Sequence, residues 1–485
     1  MAAARVKRPT ERRAWPERAR EWLEGFAGRS PSRFALLAFT SIIVLVTVLL
    51  STPMSSASGQ WTPFAQALFT ATSTVCVTGL SVVDMTSHWS PFGNAVILIG
   101  AQVGGIGVLT MASLMGVVVT RRLGLRQRLM AASDSNPLRT HAGPVSEGQA
   151  IRLGEMGGLL TTVVFSSLTV ELLLLISLLP NLLSHGESVL DALYQSTYLS
   201  ISAFNNLGYV PFSDGLAGHA NNTWLLTVLT AGVFIGSLGY PVIFAAIGNL
   251  RAVATGATRH PHWSLHVRLT MFTTLLLAAM GTIAFTALEW GNPDTLGGVD
   301  AWQRPFEGLF YTTMTRSGGF QLFPVEELTD SSTLLSQLFM FIGGGSASTA
   351  GGIKVTTIAV LFLAAFAEAR GVGEIQAFDR RIPSDVLRVA VSIVLWGMTI
   401  VLVSSLAILP FTNHPLDDVL FDVISAFATC GLSTGVTQDL PDAGVLVLSA
   451  TMWAGRVGTV TLAAAIASSS SRQLFKHPEE RPIVG

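Results

Sequence analysis

The residues whose types and spacing suit chemistry lie in four short polar stretches, each closing on a glycine. They are FTATSTVCVTGL (69–80), YLSISAFNNLGY (198–209), FYTTMTRSGGF (310–320) and FDVISAFATCGL (421–432). In each, an aromatic residue stands nine or ten positions before a glycine: Phe69 and Gly79, Tyr198 and Gly208, Phe310 and Gly319, Phe421 and Gly431. The chemistry open to such backbone is cation coordination. A cation leaving water needs replacement oxygens, and rings of peptide carbonyls supply them without a fixed charge, so the ion is held yet can leave. Glycine, lacking Cβ, lets the backbone extend with its carbonyls turned inward. Four walls are therefore expected: Thr74, Val75, Cys76, Val77, Thr78 and Gly79; Phe204, Asn205, Asn206, Leu207 and Gly208; Arg316, Ser317, Gly318 and Gly319; Ala428, Thr429, Cys430 and Gly431. The bland reading of glycine in apolar sequence is close helix packing, the role expected for Gly104, Gly105 and Gly107. One glycine loop would suit packing; four in register suit a pore. Asn205 and Asn206 are read as buttresses of the second loop or as ion contacts. Arg316 is expected to pair with an acidic residue behind the third loop.

The elements that must hold these loops follow from composition. Half of the 485 residues are hydrophobic, 12% are charged, and the mean hydropathy is +0.54. That is the composition of an all-α integral membrane protein. No charged residue occurs from 34 to 83, yet the first polar stretch makes a poor span. Polar, irregular backbone at membrane depth survives only where protein buries it or it lines a water-filled cavity. A unit repeats four times: an apolar helix, a half-helix ending in the polar glycine stretch, and a second apolar helix. The helices are predicted at 34–51 and 91–120, 155–180 and 222–250, 267–289 and 332–368, and 386–410 and 443–470. The chain thus divides into a basic segment 1–33, repeats 34–120, 155–250, 267–368 and 386–470, and a tail 471–485, with eight spans around one pseudo-fourfold axis. Pro63, Pro305 and Pro415 mark half-helix starts. The second repeat has Asp191 and Ala192 there instead. Each half-helix would aim its partly negative C-terminal end at the membrane centre, which favours a cation.

Loop charge sets orientation. Basic residues crowd 1–33, 121–152, 251–268 and 370–388, which places both termini and these loops in the cytoplasm. The first apolar run, 34–50, is expected to remain as an uncleaved anchor. The opposite loops are acidic, with Asp84, Glu187, Asp191, Asp214, Asp294, Asp300, Glu326, Glu327, Asp330, Asp417, Asp418, Asp439 and Asp442. They suit either a cation-concentrating mouth or ordinary solvated loops.

A further polar run, GGGSASTAGG, interrupts the sixth span: Gly343, Gly344, Gly345, Ser346, Ala347, Ser348, Thr349, Ala350, Gly351 and Gly352. It is too glycine-rich for a helix interior, and it lacks the Gly-Lys-Ser/Thr of a phosphate-binding loop. Lys354 next to it either snorkels toward the cytoplasm or anchors the run. Arg456 lies inside the last span, where a buried charge is costly and marks function. Its guanidinium is expected to reach carbonyls of 343–352. Glu171, in a leucine-rich span, is expected to hydrogen-bond to a neighbouring half-helix. Cys76 and Cys430 make a poor metal pair without His or carboxylate neighbours and form a disulfide only if close. A secondary transporter with broken helices would show two inverted repeats, not four of one orientation. No Ser/His, paired Asp or HExxH cluster suggests an enzyme.

The four loops, together with GGGSASTAGGIKVTT (343–357) and AGRVGTVTL (454–462), resemble the Trk/Ktr/HKT potassium transporter superfamily over nearly the whole chain after the basic segment. Eight spans directly after that segment are most similar to the Ktr membrane subunit, KtrB. Trk-type subunits usually carry two further N-terminal spans. The resemblance implies K⁺ uptake through a selectivity filter in the plasma (inner) membrane, with 343–352 as an intramembrane gating loop assisted by Lys354 and Arg456. It implies K⁺ preference from glycine at all four positions, whereas serine at the first goes with Na⁺ permeation. A single glycine in three of the four walls leaves room for a looser K⁺/Na⁺ transporter, and Na⁺ dependence is open. A homodimer in membrane lipid is implied, seated on a cytosolic nucleotide-binding regulatory ring (KtrA-like), with neither organic cofactor nor nucleic acid. Cys76, Cys430 and Gly318 depart from the commoner Asn or Val and Ala of the family, and are expected to tune the filter.

Overall fold

The computed structural model describes residues 31–122, 153–256 and 263–458. Most of the basic segment 1–33, the tail 471–485, the end of the last repeat beyond Gly458, and loop residues Arg126, Arg128, Arg139, Arg152 and Arg259 lie outside them.

Helices dominate because long apolar runs satisfy their backbone internally. The first three are α1 (Pro31–Ser51), α2 (Phe64–Val75) and α3 (Pro91–Arg122). Next come α4 (Leu153–Ser184), α5 (Val189–Asn205), α6 (Thr223–Leu238) and α7 (Tyr240–Ala254). Then follow α8 (Leu265–Glu289), α9 (Arg304–Thr315), α10 (Asp330–Phe341) and α11 (Val355–Ala369). A small antiparallel hairpin, β1 (Ile375–Ala377) and β2 (Arg380–Ile382), leads to α12 (Ser384–Ile408), α13 (Leu416–Ala428) and α14 (Asp442–Trp453). The chain continues from α14 into a π-helical turn, Ala454–Gly458.

Side-chain caps start several helices. Ser188 accepts from Asp191 N at α5, Asn222 from Leu225 N at α6, Ser264 from Val267 N at α8, and Thr329 from Ser332 N at α10. Pro63 and Pro415 stand immediately before α2 and α13, and Pro305 lies in the first turn of α9. At α5 the Ser188 cap does the work that proline does in the other three.

Among the described residues, three helices are each long and apolar enough to cross a membrane: Thr161–Ser184, Leu265–Glu289 and Ser384–Phe411. The expected single helix at 222–250 is two helices, α6 and α7, bent by 102° at Gly239. The bend rests on Gly239, on Pro241 in the first turn of α7 and on a distant run that enters the break. Gly239 has φ +87°, and a Cβ there would lie 2.6 Å from the Ser346 carbonyl oxygen. The run 343–352 fills the break, and the Ala347 carbonyl accepts from Tyr240 N at 3.2 Å.

Each half-helix (α2, α5, α9, α13) packs between the long helix before it and the helix after it. The later helix also packs on the next half-helix: α3 on α5, α6 on α9, α10 on α13, and α14 back on α2. The chain therefore closes on itself. Phe69, Tyr198, Phe310 and Phe421 are fully buried at this centre. Outer positions such as Val48 in α1, Leu173 in α4, Ile283 in α8 and Leu406 in α12 are more than half exposed. An apolar exterior around a centre rich in Ser, Thr and Asn is the arrangement a lipid solvent favours.

Candidate functional site

The four half-helices end at a common centre. Gly79, Gly208, Gly319 and Gly431 all have positive φ, +91°, +82°, +70° and +104°. A Cβ on Gly79 would lie 2.0 Å from the Leu207 carbonyl oxygen; on Gly208, 2.9 Å from that of Gly318; on Gly319, 2.4 Å from that of Cys430; on Gly431, 2.4 Å from that of Thr78. Each glycine thus faces the carbonyl of the residue just before the next loop's glycine. The order 79, 208, 319, 431 returns to 79, which is a closed ring.

Two positions before each glycine stands a second left-handed residue: Val77 (+55°), Asn206 (+62°), Ser317 (+92°) and Thr429 (+48°). Left-handed backbone is uncommon outside glycine, and for β-branched Val77 and Thr429 it costs about 1–3 kcal/mol each. Reversing handedness at every second residue turns successive carbonyls toward one side, where extended backbone would alternate them. The same strained pattern in four separate loops points to a functional constraint.

Serines brace three of the loops, a signal the sequence reading passed over although Ser73, Ser202 and Ser425 each stand six residues before the glycine. Ser73 Oγ accepts from Gly79 N (3.1 Å) and donates to the Leu80 carbonyl (2.7 Å). Ser202 Oγ donates to the Tyr209 carbonyl (2.8 Å), and Ser425 Oγ accepts from Gly431 N (3.1 Å). Their main-chain carbonyls receive Thr78 N, Leu207 N and Cys430 N at 2.7–2.9 Å. The third loop is one residue shorter, and Met314 takes the equivalent place, its carbonyl receiving Gly318 N at 2.8 Å. Here the Cys430 thiol contributes, donating to the Met314 and Thr315 carbonyls at 3.4 Å. The Tyr209 hydroxyl ties the second loop to the first, 2.7 Å from the Leu80 carbonyl and 2.9 Å from Ser73 Oγ.

The run 343–352 lies directly against these loops. Thr349 Oγ1 donates toward the Phe204 carbonyl (3.1 Å) and lies 3.2 Å from Asn206 Oδ1. Ser317 Oγ accepts from Gly351 N (2.9 Å) and donates to the Thr429 carbonyl (3.1 Å). The limbs of the run are joined by Gly343 N to the Ile353 carbonyl and Val355 N to the Gly344 carbonyl. Lys354 Nζ donates to the Ala350 carbonyl at 2.6 Å, so it is tied to the run itself.

Three sequence expectations are corrected here. Arg316 has carbonyls where an acidic partner was expected: Nη1 donates to Thr274 O and Nη2 to Gly343 O, both at 3.2 Å. Arg316 follows α9 directly, and what lies within its reach is the Thr274 carbonyl in the middle of α8 and the Gly343 carbonyl. Arg456 reaches not the carbonyls of 343–352 but Thr429 Oγ1 of the fourth loop, at 3.4 Å. Its Nε and Nη2 are buried without a hydrogen-bond partner among the described residues. The π-helical turn rotates residue 456 away from the α-helical register. Of the three glycines assigned to packing, Gly104 and Gly105 abut Val75 and Asn205, whereas a Cβ on Gly107 would meet nothing within 4 Å among the described residues.

Two carboxylates organise the side from which the half-helices start. Asp422, buried in α13, accepts from Ser433 Oγ and from the N–H and hydroxyl groups of Thr434 and Thr437, and so shapes the segment after the fourth loop. It follows Asp417 and Asp418 of the first turn but lies one turn deeper in the half-helix, a cue the sequence reading did not use. Asp84, in the loop after the first wall, accepts from Thr86 N (2.9 Å), Thr86 Oγ1 (2.8 Å) and Ser87 Oγ (2.8 Å). Those bonds, the Thr86 backbone first, hold its carboxyl below the usual range.

Comparison with known proteins follows the same lines. The sequence pattern of the family described as TrkH, cation transport protein, matches residues 29–476. The Ktr system potassium uptake protein B of Bacillus subtilis is 30% identical over 461 residues, covering 94% of this chain and 97% of that one. Its namesake from Vibrio alginolyticus is 31% identical over 458 residues, covering 93% and 94%. The crystal structure of the potassium transporter TrkH from Vibrio parahaemolyticus superposes with a TM-score of 0.65 at 16% identity, covering 90% of this chain and 84% of that one.

Proposed function

The chain belongs to the TrkH family of cation transport proteins, and we propose that it is the K⁺-translocating membrane subunit of a Ktr-type uptake system. Eight spans form four repeats, 34–120, 155–250, 267–368 and 386–470, with pseudo-fourfold symmetry about one pore. The protein sits in the plasma (inner) membrane with both termini cytoplasmic, as a homodimer on a cytosolic nucleotide-binding ring. The observation that carries this reading is the closed ring of four left-handed glycines at the ends of four half-helices.

The mechanism follows from that ring. Acidic loops such as the one holding Asp84 raise the local cation concentration. K⁺ sheds water at the walls Thr74–Gly79, Phe204–Gly208, Arg316–Gly319 and Ala428–Gly431, where carbonyl oxygens replace it. The negative ends of α2, α5, α9 and α13 favour the ion there. Below the walls, 343–352 closes the path. Its bonds through Thr349 and Ser317 hold it to the filter loops, and Lys354 stiffens it. Arg456 adds a positive charge that opposes passage until the loop moves. Regulation by the cytosolic ring acts by displacing this loop.

The deciding experiment is growth of a K⁺-uptake-deficient bacterium at low K⁺, with uptake into vesicles carrying the purified protein. Rescue and K⁺ flux are expected. Vesicles that pass no alkali cation overturn the reading. A less selective K⁺/Na⁺ transporter is the second reading, favoured by three walls with a single glycine each, and the Na⁺ competition of the same flux decides between them.

A further inference from the structure

A carboxylate backs the second wall that the transport mechanism above leaves unused. Glu171 lies midway along α4, buried, and its hydrogen-bond partners among the described residues are two carboxamides. Oε2 accepts from Gln102 Nε2 of α3 at 3.1 Å, and Oε1 accepts from Asn205 Nδ2 at the end of α5 at 3.2 Å. Asn205 Nδ2 also lies 2.8 Å from Gln102 Oε1 and 3.0 Å from the Ile201 carbonyl. Gly105 of α3 closes the opposite side, since a Cβ there would lie 2.1 Å from Asn205 Oδ1. Asn205 immediately precedes left-handed Asn206, and two residues on is Leu207, whose carbonyl faces Gly79.

The donor count explains why the group is an acid. A carboxylate offers acceptors only, whereas a carboxamide offers one acceptor and one donor. Gln102 and Asn205 both present NH₂ groups to residue 171, and the Gln102 carbonyl is taken by Asn205. Only a group accepting at both oxygens lets both amides keep these directions. A glutamine at 171 would turn a donor onto a donor, either at Gln102 or, after Gln102 flips, at Asn205. Gly105 blocks the outward escape of Asn205. A carboxylate inside a span is costly and is retained for a reason.

We propose that Glu171 is a positioning residue for ion selection: by receiving Gln102 and Asn205 it sets the orientation of the Asn205 carboxamide, and through it the second wall, residues 206–208. This rests on the reading of the four loops as a K⁺ filter.

The test compares K⁺ uptake with and without competing Na⁺ for wild type, E171Q and the exchange variant Q102E/E171Q, each at matched membrane levels. E171Q is expected to lower the preference for K⁺ about tenfold, equivalent to about 1.4 kcal/mol. In the exchange variant, residue 102 becomes the acceptor for Asn205 and for the amide at 171, while the carbonyl at 171 still receives Asn205. Its preference is expected to return to within about twofold of wild type. A residue that merely filled space or held the helices together would not be rescued by moving the charge. Gly105→Ala presses Asn205 from the other face without altering Glu171, so it gives the same loss and replaces E171Q should that variant not reach the membrane. A wild-type ratio in E171Q or in Gly105→Ala, or an exchange variant as poor as E171Q, overturns the proposal. A wild-type protein that itself prefers no cation overturns the filter reading instead, a result separate from either of these.

Discussion

Replacing Gly79 by Ser tests the ring at its tightest contact. The new Cβ would lie 2.0 Å from the Leu207 carbonyl oxygen, 3.1 Å from its carbon and 3.5 Å from Gly431 Cα. Ordinary contact begins near 3.4 Å, so the Leu207 carbonyl must move by more than 1 Å or the Gly79 backbone must rotate. Overpacking of this kind costs about 1–3 kcal/mol. Because the displaced atom is one of the proposed ion ligands, that cost lowers the K⁺ over Na⁺ ratio by about fivefold to a hundredfold. A second cost, about 1–2 kcal/mol, comes from placing a side chain at φ +91° and lowers stability without acting on the ion. Gly59 separates the two. Its φ is +68°, yet a Cβ there meets nothing within 4 Å. Gly59→Ser should therefore show the conformational loss alone, with an unchanged ion ratio. The assay is K⁺ uptake at graded Na⁺, in cells lacking other K⁺ uptake, with protein levels measured alongside. An unchanged ratio for Gly79→Ser at normal levels, or an equal change for Gly59→Ser, would refute the reasoning.

Arg456→Ala removes a buried guanidinium with two unpartnered nitrogens, and flux measured without the regulatory ring should rise severalfold, as it should when 343–352 is shortened; equal or lower flux at normal levels counts against a barrier role. Ser317→Ala strips Gly351 N–H of its acceptor and the Thr429 carbonyl of its donor. Leaving that N–H buried costs about 1–3 kcal/mol, so unregulated leak should increase, read as ring-independent K⁺ flux in vesicles. Tyr209→Phe deletes one oxygen at 2.7 Å from the Leu80 carbonyl, and thermal unfolding in detergent should show a loss of about 0.5–1.5 kcal/mol; no shift would mean that Ser73 alone holds that carbonyl.

How much was legible beforehand varies by residue. The aromatic-to-glycine spacing announced four equivalent loops because backbone demands are local: a left-handed position whose Cβ would meet a neighbouring carbonyl needs glycine wherever the loop recurs. The third loop kept its glycine while losing one residue and its serine, so the spacing slipped from ten to nine. The broken helix at Gly239 was missed although Gly239 followed by Pro241 is a helix-boundary signal. What no local pattern gives is that a run a hundred residues later lies in the break. Arg456 was read as a buried charge and Arg316 as a charge in need of a partner, and both are buried. Their partners were misjudged because a guanidinium reaches several ångströms, and which carbonyl or hydroxyl it meets depends on packing between distant repeats.

Taken by itself, the order of residues determined the class of molecule, the fourfold recurrence and the positions of the glycines, because hydropathy and backbone strain are properties of short stretches. Only the folded arrangement decided that each glycine faces the carbonyl of the next loop, that Ser317 and Thr349 tie 343–352 to the walls, and that Glu171 lies behind Asn205. Those pairings join residues from 34 positions apart (Glu171 and Asn205) to 353 apart (Thr78 and Gly431). No local pattern specifies them, since they arise from four helix pairs closing around one centre.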